Sequence, residues 1–178
     1  LAASMLGRAG RAEADLACGP HVPLSPDVAA LVAREGRTLT PLWSNCSGKH
    51  AGMLALASYH GWPTAGYQRA AHRVQERILV EVSRWTGTPQ DAVGQAVDGC
   101  TAVCFALPLS AMALGYARLA ASEDPSGVRI REAMMAHPWL VGGTGRPCTD
   151  LMAAAPGMLF AKIGAEGVYC AGIPGTGV

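Results

Sequence analysis

Residues 44–50, Ser-Asn-Cys-Ser-Gly-Lys-His, place a thiol, two hydroxyls, an amide, an amine and an imidazole in seven consecutive positions, just ahead of the apolar run Gly52–Ala57. Three chemistries compete for such a stretch. A phosphate cradle needs a leading glycine five places before Gly-Lys and a hydroxyl after the lysine for magnesium. Here those positions hold Trp43 and His50, which excludes a P-loop. A nucleophile with its base is available in Ser47 and Lys49, because a neutral lysine can activate a hydroxyl. The helical Ser-x-x-Lys spacing of penicillin-recognising enzymes is not met within the stretch, however, and Ser47 and Asn45 read better as caps of the helix that begins here. A metal site is the third reading. Cys46 and Lys49 lie three apart at a helix start, which puts both on one face, and the helix N-terminus is expected to favour the thiolate. A second thiolate is on offer in Asp98-Gly99-Cys100, and two thiolates plus a nitrogen leave a fourth position open, as in an open zinc site. Two buried cysteines serving as small apolar side chains are the competing account.

The basic residues sharpen this. All fourteen are arginine except Lys49 and Lys162. Where charge alone is needed arginine serves, whereas only lysine can shed its proton to become a base or a ligand. Lys162 therefore joins the candidates, with a surface ion pair to Glu166 as the plain alternative. Arg146, at the end of the glycine cluster 141–146, is placed to hold a carboxylate. His60, His72 and His137 read as ordinary helical or helix-end residues.

The elements that must carry these groups follow from periodicity. Helical spacing covers residues 1–16, and Ser25 with Pro26 opens a helix over 26–34. A buried helix runs from about Lys49 and is closed by Gly61 and Pro63. An amphipathic helix from about Tyr67 ends at Gly87, with Val74, Ile78, Val82 and Trp85 on one face. Residues 93–109 read as strand, turn and a further buried segment. Helices follow over 108–121 and over the segment stopped by Pro138. The end of the chain reads as two strands joined by a turn, around 158–163 and 167–173. Helices with a few strands and no regular βαβ alternation indicate an α+β or mixed α/β class, in a single domain spanning 1–178.

Half the residues are apolar, 15% are charged and the net charge is +1, so the chain has no electrostatic footprint for nucleic acid. A small neutral or zwitterionic ligand suits that balance. No apolar run approaches the ~18 residues of a membrane span, and six cysteines spread through a chain of this length suggest reduced thiols in a cytoplasm. The chain opens at Leu1 inside a helix pattern and stops at Gly-Ile-Pro-Gly-Thr-Gly-Val, the expectation being a fragment of a longer domain.

Four motifs, in order, carry a family likeness: NCSGKHAGMLAL at 45–56, VDGC at 97–100 followed by FALPL, HPWLVGGTGR at 137–146 with TDLM, and AKIGAEGVYC at 161–170. Together they resemble the rhizobial-type L-asparaginase family, also called asparaginase II or class 3. The resemblance implies a fold similar to serine β-lactamases and penicillin-binding transpeptidases, here incomplete, and a homodimer that hydrolyses L-asparagine to L-aspartate and ammonia. It implies zinc held by Cys46, Lys49 and Cys100, His50 and Asp98 at the substrate, and Lys162 as the lysine of a catalytic Ser-Lys pair. The Ser-x-x-Lys nucleophile is then expected upstream of Leu1. Two stretches depart from the family pattern: Ser44 stands where asparagine is usual, and Thr101-Ala102-Val103-Cys104 follows the DGC motif where a glycine and a proline are more typical.

Overall fold

The computed structural model describes residues 1–176, so the last two of the 178 residues lie outside the described part. The chain is of mixed α/β type, with eight α-helices and four short strands among the described residues. In chain order these are α1 (Ala2–Arg8), α2 (Pro26–Arg34), α3 (Ser47–Tyr59), α4 (Arg73–Thr86), β1 (Gly94–Val97), β2 (Val103–Ala106), α5 (Leu109–Ala121), α6 (Pro125–Ala136), α7 (Pro138–Gly142), α8 (Pro147–Ala154), β3 (Phe160–Ile163) and β4 (Tyr169–Gly172). The chain divides into two compact units: Leu1–Glu81 with Val93–Ala106, and Val82–Ala92 with Leu107–Val178. No helix among the described residues is long and apolar enough to cross a membrane.

The first unit is organised around α3. Its Ser47, His50, Ala51, Leu54 and Ala57 recur at three- and four-residue spacing and are all buried. Small residues on this face let α1 approach closely, and Met5 reaches the backbone at Gly52. Leu6, Leu16, Cys18, Tyr67, Val74 and Ala102 complete the same core. α4 begins at Arg73, six residues later than the periodicity predicts, because His72 caps it. The Nδ1 of His72 accepts the Val74 N–H at 3.1 Å and its Nε2–H donates to the Pro63 carbonyl at 2.8 Å. Tyr67 is thereby left out of the helix and is turned into the core.

β1 and β2 form an antiparallel hairpin in which Val97 faces Val103 and Gly94 faces Ala106. The segment after the turn, expected only as buried, is thus the second strand. Residues 98–102 are the connection: Asp98 N–H bonds to the Ala102 carbonyl and Thr101 N–H to the Asp98 carbonyl, both at 2.8 Å. Val103 N–H also reaches the Gln68 carbonyl.

The second unit has its own core of Ala120, Cys148, Met152, Phe160 and Ala161. β3 and β4 are the antiparallel pair read from the sequence, with Phe160 opposite Gly172 and Lys162 opposite Cys170. Phe160 stacks on Tyr116 with ring centroids 5.7 Å apart. Gly172 is required against that ring, since a Cβ there would sit 2.5 Å from Phe160 Cζ. Arg131 closes the C-terminus of α5 by donating to the carbonyls of Leu119, Ala120 and Ser122.

Candidate metal centre

The first unit brings five of the seven sequence-derived residues to one place. α3 starts at Ser47, with Cys46 at its N-cap position and Lys49 and His50 in its first turn. Neither Asn45 nor Ser47 caps it, contrary to the sequence reading. Buried Ser44 instead fixes the segment leading into the helix, accepting the Cys46 N–H on its Oγ at 3.2 Å. The hairpin connection supplies Asp98 and Cys100 from the other side. The Sγ atoms of Cys46 and Cys100 and a carboxylate oxygen of Asp98 all lie within 4.8 Å of one another.

The Asp98 carboxylate is fully engaged. Its Oδ1 accepts the Gly99 N–H at 2.8 Å, while Oδ2 accepts from Lys49 Nζ at 3.2 Å and from Cys100 Sγ at 3.3 Å. These bonds from Cys100 and Lys49 hold the Asp98 carboxyl below the usual aspartate range. Burial disfavours the Lys49 ammonium, but Cys100, Cys46 and Asp98 outweigh it and raise its pKa. Burial also pushes the Cys46 thiol up, with Lys49 pulling the other way. The lowering expected of the helix start is not seen: desolvation of a half-buried sulfur, reinforced by Cys100 and Asp98, exceeds the pull of the Lys49 ammonium.

His50 lies behind this cluster and is wholly buried. Its Nδ1 is 2.6 Å from the Tyr67 hydroxyl, which itself accepts the Ala17 N–H at 2.9 Å. The phenol has one proton and no other acceptor for it, so it donates to Nδ1 and leaves the imidazole proton on Nε2. Among the described residues that Nε2 makes no well-formed hydrogen bond, although the Cys100 backbone interacts with the ring. Burial, aided by Lys49, lowers the His50 pKa to about 4, with the Cys100 backbone and Asp98 acting in the opposite direction. The ring is neutral near pH 7. Burial likewise lifts the Tyr67 phenol to about 12, so it stays a donor.

The donor set suits a thiophilic divalent cation. Two sulfurs of a tetrahedral zinc site, each about 2.3 Å from the metal, stand ~3.8 Å apart. The spread of the cluster is compatible with that distance. Lys49 already contacts the shared carboxylate oxygen and can act as a nitrogen ligand only by giving up its proton.

The family model of L-asparaginase II matches residues 1–178, the whole sequence. The chain belongs to the L-asparaginase II family. No curated protein matches it. In this L-asparaginase II chain the remaining two candidates belong to the second unit: half-buried Arg146 directly precedes α8, and exposed Lys162 lies on β3. Lys162 does not pair with Glu166 as the plain alternative had it; its Nζ donates to the Ile163 carbonyl. Sequence reasoning missed Tyr67 and Thr101. Tyr67 was absorbed into a helical pattern, and the one signal against this was the turn at Gly66, whose φ is +76°. Thr101 had a signal in its position two residues from the glycine of a predicted turn.

Proposed function

We propose that this L-asparaginase II chain is a zinc-binding module, with Cys46 and Cys100 as thiolate ligands and Asp98 and Lys49 completing or flanking the set. The observation that supports it is the convergence of three donor atoms within 4.8 Å from two chain segments far apart in sequence. Bound there, zinc would supply a fixed positive centre that ties the hairpin turn to the head of α3. The protein's own groups do the rest: Asp98 carries the negative charge, Lys49 balances it, and His50 presents a neutral N–H behind them. Under this reading the described residues bind and position without turning over substrate. The two thiols also have a disulfide open to them when the metal is lost. Elemental analysis with thiol counting, under reducing conditions, tests the proposal. About one equivalent of zinc that protects Cys46 and Cys100 from alkylation supports it, and a protein that is metal-free after zinc loading, with Cys46 and Cys100 as reactive as before, sinks it.

A second reading is favoured by the family match across all 178 residues. It makes the parent protein a rhizobial-type L-asparagine amidohydrolase, cytoplasmic and homodimeric, on a fold akin to the serine β-lactamases and penicillin-binding enzymes. In that reading Asp98 is the residue for the substrate ammonium, Arg146 for its carboxylate and His50 for its polar groups, while Lys162 is the base that takes the proton of an activated serine. The serine oxygen attacks the side-chain amide carbon, ammonia leaves with a proton, and water then cleaves the acyl ester to release L-aspartate. No serine of this sequence is assigned as the nucleophile, so the 178-residue chain alone is expected to be inactive. Ammonia release from L-asparagine, measured for this chain and for a version extended upstream, separates the two readings. Zinc binding without turnover in both would leave the module alone standing.

A further inference from the structure

The turn that carries Asp98 and Cys100 breaks a local rule. Asp98 and Ala102 pair across the hairpin, leaving Gly99, Cys100 and Thr101 as a three-residue loop with the Thr101 N–H bonded back to the Asp98 carbonyl. In such loops the third residue takes a left-handed conformation and is normally glycine. Thr101 has φ +75°, and a β-branched residue is the least suited to that region. A strained choice of this kind persists only where something else holds it. Here the Thr101 Oγ1 donates to the Ala17 carbonyl at 3.0 Å, a contact between residues 84 apart in sequence.

Ala17 is also where the other side of the site is anchored. Its N–H donates to the Tyr67 hydroxyl, which in turn holds His50. Ala17 is itself fixed between Leu16 and Cys18, both buried in the core of the first unit. One residue's backbone thus takes the metal-site turn on its carbonyl and the His50–Tyr67 pair on its amide. A glycine at 101 would relax the turn but would free it from this anchor.

We propose that Thr101 is a positioning residue for the donor cluster, its hydroxyl holding the Asp98–Cys100 turn at the distance from Cys46 that a bridging group requires. The inference rests on the zinc-binding reading, and its test has one arm that does not. Thr101→Val keeps the β-branch and removes the hydroxyl; Thr101→Ser keeps the hydroxyl. In the first arm, zinc affinity is measured by competition with a chelating dye, and cobalt substitution reports the thiolate charge-transfer band. Thr101→Val weakens binding on the order of fivefold, as expected for one lost hydrogen bond, and shifts the cobalt spectrum, while Thr101→Ser restores both. In the second arm, the metal-free protein is equilibrated with reduced and oxidised glutathione. Each Cys46–Cys100 disulfide formed consumes one oxidised glutathione and releases two reduced ones, and peptide mapping assigns the bond. Thr101→Val lowers the effective concentration of the two thiols by a similar factor, and Thr101→Ser restores it. If the wild-type chain binds no zinc while Thr101→Val still disfavours the disulfide, the zinc reading fails and the positioning role stands. A Thr101→Val protein equal to wild type in the disulfide arm, or no recovery with Thr101→Ser, overturns the positioning role whatever the metal does.

Discussion

Lowering the pH should destabilise the first unit through one side chain, His50. In the unfolded chain this imidazole titrates at its ordinary value of 6.5, whereas in the folded protein burial holds it near 4. The sign follows from proton binding. Between those two values the unfolded state takes up a proton that the folded state refuses, so stability falls as pH falls. The contribution is complete above about pH 6.5 and is lost progressively toward pH 4, below which the folded ring protonates as well. At about 1.4 kcal/mol per pH unit, the gap amounts to about 3 kcal/mol at pH 4. That is a large part of the ordinary stability of a domain. Asp98, held below the usual aspartate range by Cys100 and Lys49, also loses stability as pH falls at the low end of the window, but a variant at His50 shares that loss, and Lys49 and Cys46, both raised, titrate above it. The assay is urea denaturation at pH 7, 6, 5 and 4 with chelator present, comparing wild type with His50→Gln, which does not titrate. Wild type is expected to lose about 3 kcal/mol more than the variant across the series. Parallel curves, differing by less than about 1 kcal/mol in their total fall, would refute the buried neutral imidazole.

Further outcomes follow from the same contacts. Tyr67→Phe removes the hydroxyl that takes the Ala17 N–H and donates to His50, leaving two buried groups unpaired; a loss of about 2 kcal/mol in denaturant titrations is expected, with the apolar core intact. Lys49→Arg keeps the charge opposite Asp98 but offers no lone pair, so zinc affinity should fall about tenfold or more while the melting temperature of the metal-free protein holds; unchanged affinity removes Lys49 from the ligand set. Cys100→Ser should cut the cobalt–thiolate charge-transfer band to about half or less, where retention of a two-sulfur spectrum would contradict the cluster. Gly172→Ala forces a methyl into the Phe160 ring and should cost about 2 kcal/mol in the second unit without touching zinc binding.

What the sequence showed best was chemistry that few residue types can perform. Lys49 stood out because arginine cannot be a ligand, and Cys46 with Cys100 because two soft donors flanked a helix start and a turn. The β3–β4 pair and α2 were legible from alternation and from Ser25-Pro26, although Ser25 makes no side-chain cap. The head of α4 was not, because His72 acts through two ring nitrogens whose partners, Pro63 and Val74, are fixed only in three dimensions. The Cys46 thiol was misjudged for a related reason. A helix terminus can be read from sequence, but the burial that raises this thiol cannot. Ala17 could not have been singled out at all, since its part in the site is played entirely by its backbone.

The first unit is also discontinuous, returning to itself through Val93–Ala106 after the chain has left at Glu81. Its longest polar tie, from Thr101 to Ala17, cannot form until the hairpin has been synthesised. During translation α1 and α3 can therefore pair early, while the cysteines of the cluster remain apart and separately exposed to the cell's thiol chemistry. Closing that tie joins residues 84 apart in sequence, so it carries a larger loop-closure cost than the pairing of α1 with α3.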